Sequence, residues 1–411
     1  MGGAPAAVTI DRRAVWAAAR DVLAVRLDAA GDVLMTTPAL RAVKEASPGR
    51  RLTLLTSTAG AQAARLVPEI DDVVVYDAPW VKASPARRGP EVDLAAIEDV
   101  RRTGFDAAVI FTVFSQDPMP AAMFCYLAGI PLRLAHTHDK GYRLLTDPVA
   151  DPEPESFLRH EVRRQLDLVA TIGCRTDDED LSVRVGAGAA ARVADLLADV
   201  RIGEADRPWA VLHPGASAPS RRYPAERFAE VARRLIDDHG WDVVLAGSEA
   251  DRHEVETIRR GAGDRIRSLS GKLDLEGLAA LLASAPLLIA NNSAPAHLAA
   301  AVGTPVVDLY ALTNLQHTPW RVPHRVLFRD VPCRNCASSV CPEGHHACLR
   351  LVEPNAVVEA AVELAQAGDV ASPSDRRYAP RLPVEGAVAE DAAFRRSTTE
   401  LARDGSHAAR P

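Results

Sequence analysis

The chain has 411 residues, of which 47 % are hydrophobic and 25 % are charged, so it is globular and too long for one ordinary core. Its net charge of −7 argues against a nucleic-acid-binding surface, and no apolar run of about 18 residues predicts a membrane-spanning helix. The first residues lack the apolar core and cleavage site of a secretory signal. We therefore expect a cytoplasmic protein with no nucleic-acid partner and at most peripheral membrane contact.

Short apolar runs alternate with helical or loop segments along the first half of the chain. The runs that we predict as strands cover residues 22–26, 52–55, 73–76, 107–111 and 132–135, and a predicted helix covers residues 33–46. Apolar strands separated by helices are typical of a parallel sheet that is covered on both faces. We predict an N-terminal extension over residues 1–20 and a Rossmann-like α/β domain over residues 21–198.

A second series of the same kind follows a polar segment at residues 199–208. Its predicted strands cover residues 209–212, 242–246, 267–269, 287–290 and 306–309, and its predicted helices cover residues 225–239, 251–261, 275–284 and 294–302. These elements predict a second Rossmann-like domain over residues 209–366, with a ligand cleft between the two doubly wound domains. Residues 367–411 are rich in Pro, Ser and charge, which predicts a disordered tail.

The most informative segment runs from Pro286 to Tyr310. An apolar run ends at a polar turn, a helix rich in small residues follows, and a second apolar run begins after it. Open α/β sheets bind ligands at the carboxyl ends of their strands, and the N–H groups at a helix start favour phosphate. The pattern predicts that Asn292, Ser293 and His297 bind a nucleotide or a sugar phosphate.

Two further loops follow predicted strands. In the first, which begins at Arg26, Gly31 permits a close approach to a ligand, and Asp32 either caps the next helix or presents a carboxylate to the cleft. The second loop combines small residues with paired arginines, which favours anion binding over a plain surface loop; these residues are Gly215, Ser217, Arg221 and Arg222.

A glycine-containing segment near residue 186 imitates a dinucleotide-binding fingerprint. The preceding apolar run is short and polar, and such a fingerprint alone is a weak signal. We therefore favour an Ala-rich helix start at Gly186 and Gly188.

Four of the six cysteines lie within 16 residues, at Cys333, Cys336, Cys341 and Cys348. Four thiolates, or three with His345 or His346, are able to form a structural zinc site. The spacing is not common for zinc, so we favour free thiols or loop-shaping residues and no metal. The isolated Cys125 and Cys174 are expected to be packed.

Five segments, taken together and in this order, resemble glycosyltransferase family 9, the heptosyltransferases of lipopolysaccharide assembly. They are RLDAAGDVLMTTPALRAVKEASPGRRLTLLTS, HPGASAPSRRYPAERFAEVARRL, VVLAGSEAD, LSGKLDLEGLAALLASAPLLIANNSAPAHLAAAVGTPVVDLY and CRNCASSVCPEGHHACL, and the likeness covers about residues 20–365. The resemblance implies a GT-B fold, with the acceptor on the first domain and the nucleotide sugar on the second. It also implies inverting, metal-independent transfer without a cofactor.

The resemblance also implies roles for individual residues. Asp32 matches the catalytic base, with Arg26 and Gly31 in the acceptor-side loop around it. Arg221 stands where the family usually has a lysine that contacts the donor diphosphate, and Glu249 matches an acid near the ribose. The loop that meets the donor corresponds to Asn292, Ser293 and His297.

Two residues depart from the family pattern. Asn292 replaces an acidic residue of the donor loop, and Ala294 replaces a glycine. The expected function is transfer of a heptose from ADP-heptose to a hydroxyl of a glycan or glycolipid. The alternative, which these departures motivate, is a nucleotide-sugar-binding protein without transferase activity.

Overall fold

The computed structural model describes residues 11–82, 89–154, 156–203, 207–263, 265–312 and 315–368. Residues 1–10 of the predicted extension, and all but the start of the predicted disordered tail, lie outside the described residues. The chain divides into two compact units: the first extends to Glu179, and the second begins at Asp180. Two short pieces of the first half, Ala30–Met35 and Leu66–Pro68, group with the second unit.

The first unit is built on a six-stranded parallel sheet. Its strands are β1 (Asp21–Val25), β2 (Arg51–Thr56), β3 (Asp72–Val75), β4 (Ala107–Ile110), β5 (Leu132–Thr137) and β6 (Asp147–Ala150), in the order β3-β2-β1-β4-β5-β6. The helices in this part of the chain are α1 (Arg12–Ala18), α2 (Ala30–Glu45), α3 (Thr58–Ala64), α4 (Glu91–Thr103), α5 (Met119–Leu127) and α6 (Glu161–Ala170). Buried Leu23, Val25 and Ile110 belong to a core that α5 closes with Phe124.

The second unit repeats this architecture. Its strands are β7 (Trp209–His213), β8 (Asp242–Leu245), β9 (Arg267–Ser268), β10 (Leu288–Asn291), β11 (Val306–Leu309) and β12 (His324–Leu327), in the order β12-β11-β10-β7-β8-β9. Its helices are α7 (Ala187–Asp199), α8 (Ala225–Asp237), α9 (Arg252–Ala262), α10 (Leu275–Ser284), α11 (Ala294–Val302), α12 (Ala347–Arg350) and α13 (Pro354–Gly368). Helix α8 buries Phe228, Val231 and Leu235, whose spacing places them on one face.

Both sheets have the strand order of a Rossmann-like fold, which confirms the predicted α/β class. In each sheet the strand order reverses between two central neighbours, β1 and β4 in the first and β7 and β10 in the second. Ligands of open α/β sheets bind outside the carboxyl ends of the strands at such a reversal. These two places are therefore where a site is expected.

The structure differs from the sequence prediction at three points. The edge strands β6 and β12 were not predicted; β6 has only four residues and contains Pro148. The alternative reading of Asp32 as a helix cap is wrong, because α2 begins at Ala30 and Asp32 lies inside its first turn. Helix α7 was predicted in the first domain but groups with the second unit. Its predicted start at Gly186 is confirmed, since Gly186 is the N-cap residue of α7.

Among the described residues, no helix is long and apolar enough to cross a membrane.

Candidate functional site

The loops that follow β7 and β10 are joined by hydrogen bonds at the point where the second sheet reverses its order. Asn291, at the end of β10, donates from Nδ2 to the Pro214 carbonyl at 2.6 Å and accepts the Tyr223 N–H at 2.9 Å. Ser293 Oγ donates to the Gly215 carbonyl at 3.2 Å. The start of α11 is thus held against the loop that carries the predicted anion-binding residues.

Gly215 lies where a side chain has no room. A Cβ atom at this position would approach the Asp251 carboxylate, with Asp251 Cγ only 2.5 Å away. Asp251 is buried and cannot easily move aside, because it accepts hydrogen bonds from the N–H and the hydroxyl of Ser248 at 2.9 and 2.7 Å. Glycine is therefore required at this buried position by the close packing of the loop against Asp251.

The two neighbouring arginines of this loop have different surroundings. Arg222 donates from Nε to the Ala216 carbonyl at 2.8 Å and pairs with Glu254 at 2.9 Å, so its guanidinium holds the loop together. The Arg221 guanidinium makes no hydrogen bond or ion pair within the described residues, and its side chain is half-buried. Of the two predicted anion-binding arginines, Arg221 is the one whose donors are available.

Asn292 turns its side chain into the protein. It is 3 % exposed, and its Nδ2 donates to the His317 carbonyl at 2.8 Å and to Asp308 Oδ2 at 3.3 Å.

Asp308 lies in β11 and is fully buried; its Oδ1 has no hydrogen-bond partner among the described residues. Burial raises the pKa of the Asp308 carboxyl to about 7, although the hydrogen bond from Asn292 and the charge of Arg221 oppose the shift. Asp308 could not be recognised as a site residue from the sequence, because an acid in an apolar strand has no local signal of its partners.

Asp308 should make the stability of the protein depend on pH. Its pKa rises from 3.8 to about 7 on folding, so between these values the folded state binds a proton that the unfolded state does not. We expect the free energy of unfolding to fall by about 1.4 kcal/mol per pH unit as pH rises through this window. Urea unfolding of wild type and Asp308→Asn at pH 4–8 measures this, with exposed Asp330→Asn as control. If the free energy of unfolding depended on pH equally in wild type and Asp308→Asn, Asp308 would not be the source of the pH dependence.

The first turn of α2 lies close to α11 within the second unit. A Cβ atom on the buried Gly31 would lie 2.9 Å from Cδ2 of His297, so glycine allows the two helices to approach. His297 is itself buried, at 4 % exposure. Asp32, the next residue after Gly31, is half-buried, and its carboxylate lies in the first turn of the helix, where the macrodipole stabilises negative charge.

The remaining predicted residues differ in exposure. Ser217 is exposed in the loop after β7, and Glu249 is exposed in the loop after β8, where it pairs with Arg252. Arg26 is fully buried and forms ion pairs with Asp28 and Glu161. Its guanidinium is thus held by ion pairs inside the first unit.

The cysteine-rich segment packs beside the loop that carries Arg221. Ser220 donates from its backbone N–H to the Ser339 carbonyl and from Oγ to the Ser338 carbonyl, at 3.0 and 2.7 Å. Cys333 Sγ lies 3.6 Å from Nε2 of His345. Within the part of the chain that the structure describes, no three Cys, His, Asp or Glu side chains are grouped as metal ligands.

Alkylation should separate the two classes of cysteine. Cys333, Cys336 and Cys341 are only partly buried, whereas Cys125 is fully buried and burial raises the pKa of its thiol to about 12. We therefore expect iodoacetamide at pH 8 to modify the three cluster cysteines first, and Cys125 only after unfolding. Peptide mass spectrometry over a time course measures the order.

The control for this experiment is the same time course after treatment with a chelator. Unchanged rates support free thiols. Cluster cysteines that react only after chelation would contradict the prediction and identify a bound metal.

Comparison with known proteins places these features in a family. The model of "Glycosyltransferase family 9 (heptosyltransferase)" matches residues 94–347. Lipopolysaccharide heptosyltransferase 2 of Escherichia coli is 28 % identical over 254 residues, which are 58 % of this chain and 70 % of that protein. Lipooligosaccharide heptosyltransferase 2 of Campylobacter jejuni is 30 % identical over 160 residues, 37 % of this chain. The matched residues cover 50 % of the length of the Campylobacter protein.

Solved structures show the same fold. A glycosyltransferase family 9 protein from Veillonella parvula superposes with a TM-score of 0.71 at 21 % identity, covering 85 % of this chain and 98 % of that chain. ADP-heptose lipopolysaccharide heptosyltransferase II of E. coli gives a TM-score of 0.65 at 22 % identity, covering 85 % and 99 %. These likenesses confirm the predicted GT-B fold class.

Proposed function

Because the chain belongs to glycosyltransferase family 9, as its sequence resemblance predicted, we propose that it is an inverting, metal-independent sugar transferase. The donor is a nucleotide sugar, ADP-heptose in the first instance. The acceptor is a hydroxyl of a glycan or glycolipid, as in lipopolysaccharide assembly.

The observation that carries the proposal is the anion-binding surface at the reversal point of the second sheet. The Arg221 guanidinium makes no hydrogen bond or ion pair within the described residues, and the start of α11 at Ser293 has no side-chain cap. A guanidinium, backbone N–H groups and a helix start together favour a diphosphate. Glu249, which is exposed after the neighbouring strand and pairs with the exposed Arg252, would accept a hydrogen bond from a ribose hydroxyl.

The proposed reaction starts at Asp32. Its carboxylate takes the proton of an acceptor hydroxyl while that oxygen attacks the anomeric carbon of the donor. The bond between the anomeric carbon and the diphosphate oxygen breaks, so the configuration inverts and the nucleoside diphosphate leaves. Arg221 and the α11 start stabilise the negative charge that develops on the leaving group, a task that a metal ion performs in other transferases.

A turnover assay with defined donors tests the proposal. Wild-type protein is incubated with ADP-, GDP- and UDP-sugars and lipopolysaccharide core acceptors, with and without EDTA, and product is detected by mass spectrometry. We expect transfer from ADP-heptose that EDTA does not reduce. Transfer that stops in EDTA would refute metal independence.

The same assay decides the alternative. Asn292 and Ala294 depart from the family pattern, and Asn292 directs its amide towards Asp308 instead of presenting a carboxylate. Tight binding of a nucleotide sugar without product from any acceptor would identify a nucleotide-sugar-binding protein and overturn the transferase.

A further inference from the structure

The side-chain amide of Asn292 has one favoured orientation. Its Nδ2 lies 2.8 Å from the His317 carbonyl and 3.3 Å from Asp308 Oδ2. The carbonyl is an acceptor only, and so is the carboxylate when it is ionised. The opposite orientation would place three oxygens together without a hydrogen between them, which is costly inside a protein. The carbonyl oxygen Oδ1 of Asn292 is therefore held pointing away from Asp308.

The Oδ1 atom of Asn292 is available to a ligand. It makes no hydrogen bond within the described residues, and it is not one of their enclosed polar atoms without a partner. The exposed 3 % of this side chain thus includes Oδ1. Asp308 differs, because its own unpartnered oxygen is enclosed. The pair consists of a buried acid that a ligand does not reach and a neutral oxygen that it does.

Asn292 adjoins the groups that we assign to the donor diphosphate. It directly precedes Ser293, the N-cap residue of α11, whose Oγ donates to the Gly215 carbonyl at 3.2 Å in the loop that carries Arg221. Burial raises the pKa of the Asp308 carboxyl, and the charge of Arg221 opposes this shift, so the guanidinium lies close enough to act on the same pair. Arg221, the start of α11 and the Asn292 oxygen therefore belong to one surface.

The strand order separates the two ends of the donor. Strand β7, which leads into the loop of Arg221, lies between β8 and β10. The proposed function assigns Glu249, after β8, to the ribose. The sugar on the other side of the diphosphate then falls where β10 and β11 end, at Asn292 and Asp308.

We propose that Asp308 is a positioning residue for the donor sugar: with the His317 carbonyl it holds the Asn292 amide so that Oδ1 accepts a hydrogen bond from a sugar hydroxyl. The acceptor role of the acid that the family has at position 292 is thus kept without its charge. A sugar with a hydroxyl at this place is favoured over one with a carboxylate or phosphate, which has no hydrogen to donate. The inference rests on the proposed function, since it specifies the sugar side of the same donor site.

Restoring the family's acid tests the assignment. Asn292→Asp places a second carboxylate against Asp308, which is largely ionised at pH 8, and removes the donor hydrogens of the amide. We expect the ratio of the affinity for ADP-heptose to the affinity for ADP to fall about tenfold. Asn292→Asp combined with Asp308→Asn exchanges the two groups, so this ratio should return to within about threefold of wild type. Calorimetric titration at pH 8 measures both affinities.

The ratio separates positioning from a merely structural role, because damage to the loop weakens binding of ADP-heptose and ADP alike. Asn292→Leu, which removes Oδ1, should lower the ratio about tenfold as well. Asn355→Asp makes the same chemical change at an exposed position of α13 and is the matched control. Its two affinities should equal those of wild type.

Three results would overturn the proposal: an unchanged ratio in Asn292→Leu, a double variant no better than Asn292→Asp, or parallel losses of both affinities. If Asn292→Asp does not fold, as thermal melts reveal, the ratio in the double variant decides. A ratio more than tenfold below wild type in that variant would then overturn it.

Failure of the proposed function is recognised separately. If the wild type binds ADP-heptose but transfers no sugar, the transferase is refuted and the ratios still decide the role of Asp308. If it binds a GDP- or UDP-sugar more tightly, that sugar and its own nucleoside diphosphate replace the ADP pair. A wild type that binds no nucleotide sugar overturns both.

Discussion

Replacing Asp32 with asparagine is expected to lower kcat for sugar transfer by about 10²- to 10⁴-fold, the range for loss of a general base. The amide keeps the size of the side chain but cannot take the proton of the acceptor hydroxyl. ADP binding should stay within a few-fold of wild type, because the diphosphate is held by other groups. Single-turnover rates with ADP-heptose and calorimetric titration with ADP measure the two quantities.

Asp93→Asn is the matched control, since Asp93 also lies in the first turn of a helix, α4. Its transfer rate should equal that of wild type. A normal rate in Asp32→Asn would remove Asp32 from the role of base. A parallel loss of ADP affinity would instead indicate that Asp32 contributes to the shape of the donor site.

The central strands of both sheets and the outer strands β3 and β9 could be predicted from the sequence, whereas the outer strands β6 and β12 could not. The segments at β1, β4 and β10 are continuous apolar runs because their strands are covered on both faces. At an edge this constraint is relaxed, and β12 is only half-buried. The polar composition of such a strand resembles that of a loop.

The candidate site was predictable as a set of loops but not as a set of contacts. Strand ends, glycines and arginines placed the loop of Arg221 and Arg222 correctly after the first strand of the second domain. Only the structure separates the two residues, because the partner of Arg222, Glu254, lies 32 residues further along the chain.

Substitution of these neighbouring arginines should therefore give opposite results. Arg221→Ala removes a guanidinium that makes no hydrogen bond or ion pair within the described residues, so we expect the affinity for ADP to fall about 10- to 100-fold with little change in Tm. Arg222→Ala leaves the Ala216 carbonyl and Glu254 without their partner, so we expect a lower Tm and a smaller loss of ADP affinity. Calorimetric titration with ADP and thermal melts measure both effects.

Salt provides a second criterion for Arg221, because a charge that meets a diphosphate in a half-exposed site is screened by ions. Wild-type affinity for ADP should weaken between 0.05 and 0.5 M NaCl, and Arg221→Ala should show a shallower dependence than Arg222→Ala. Equal losses of ADP affinity in the two variants would show that the loop binds the diphosphate through both arginines. A loss confined to Arg222→Ala would mean that the structure of the loop, and not the charge of Arg221, holds the donor.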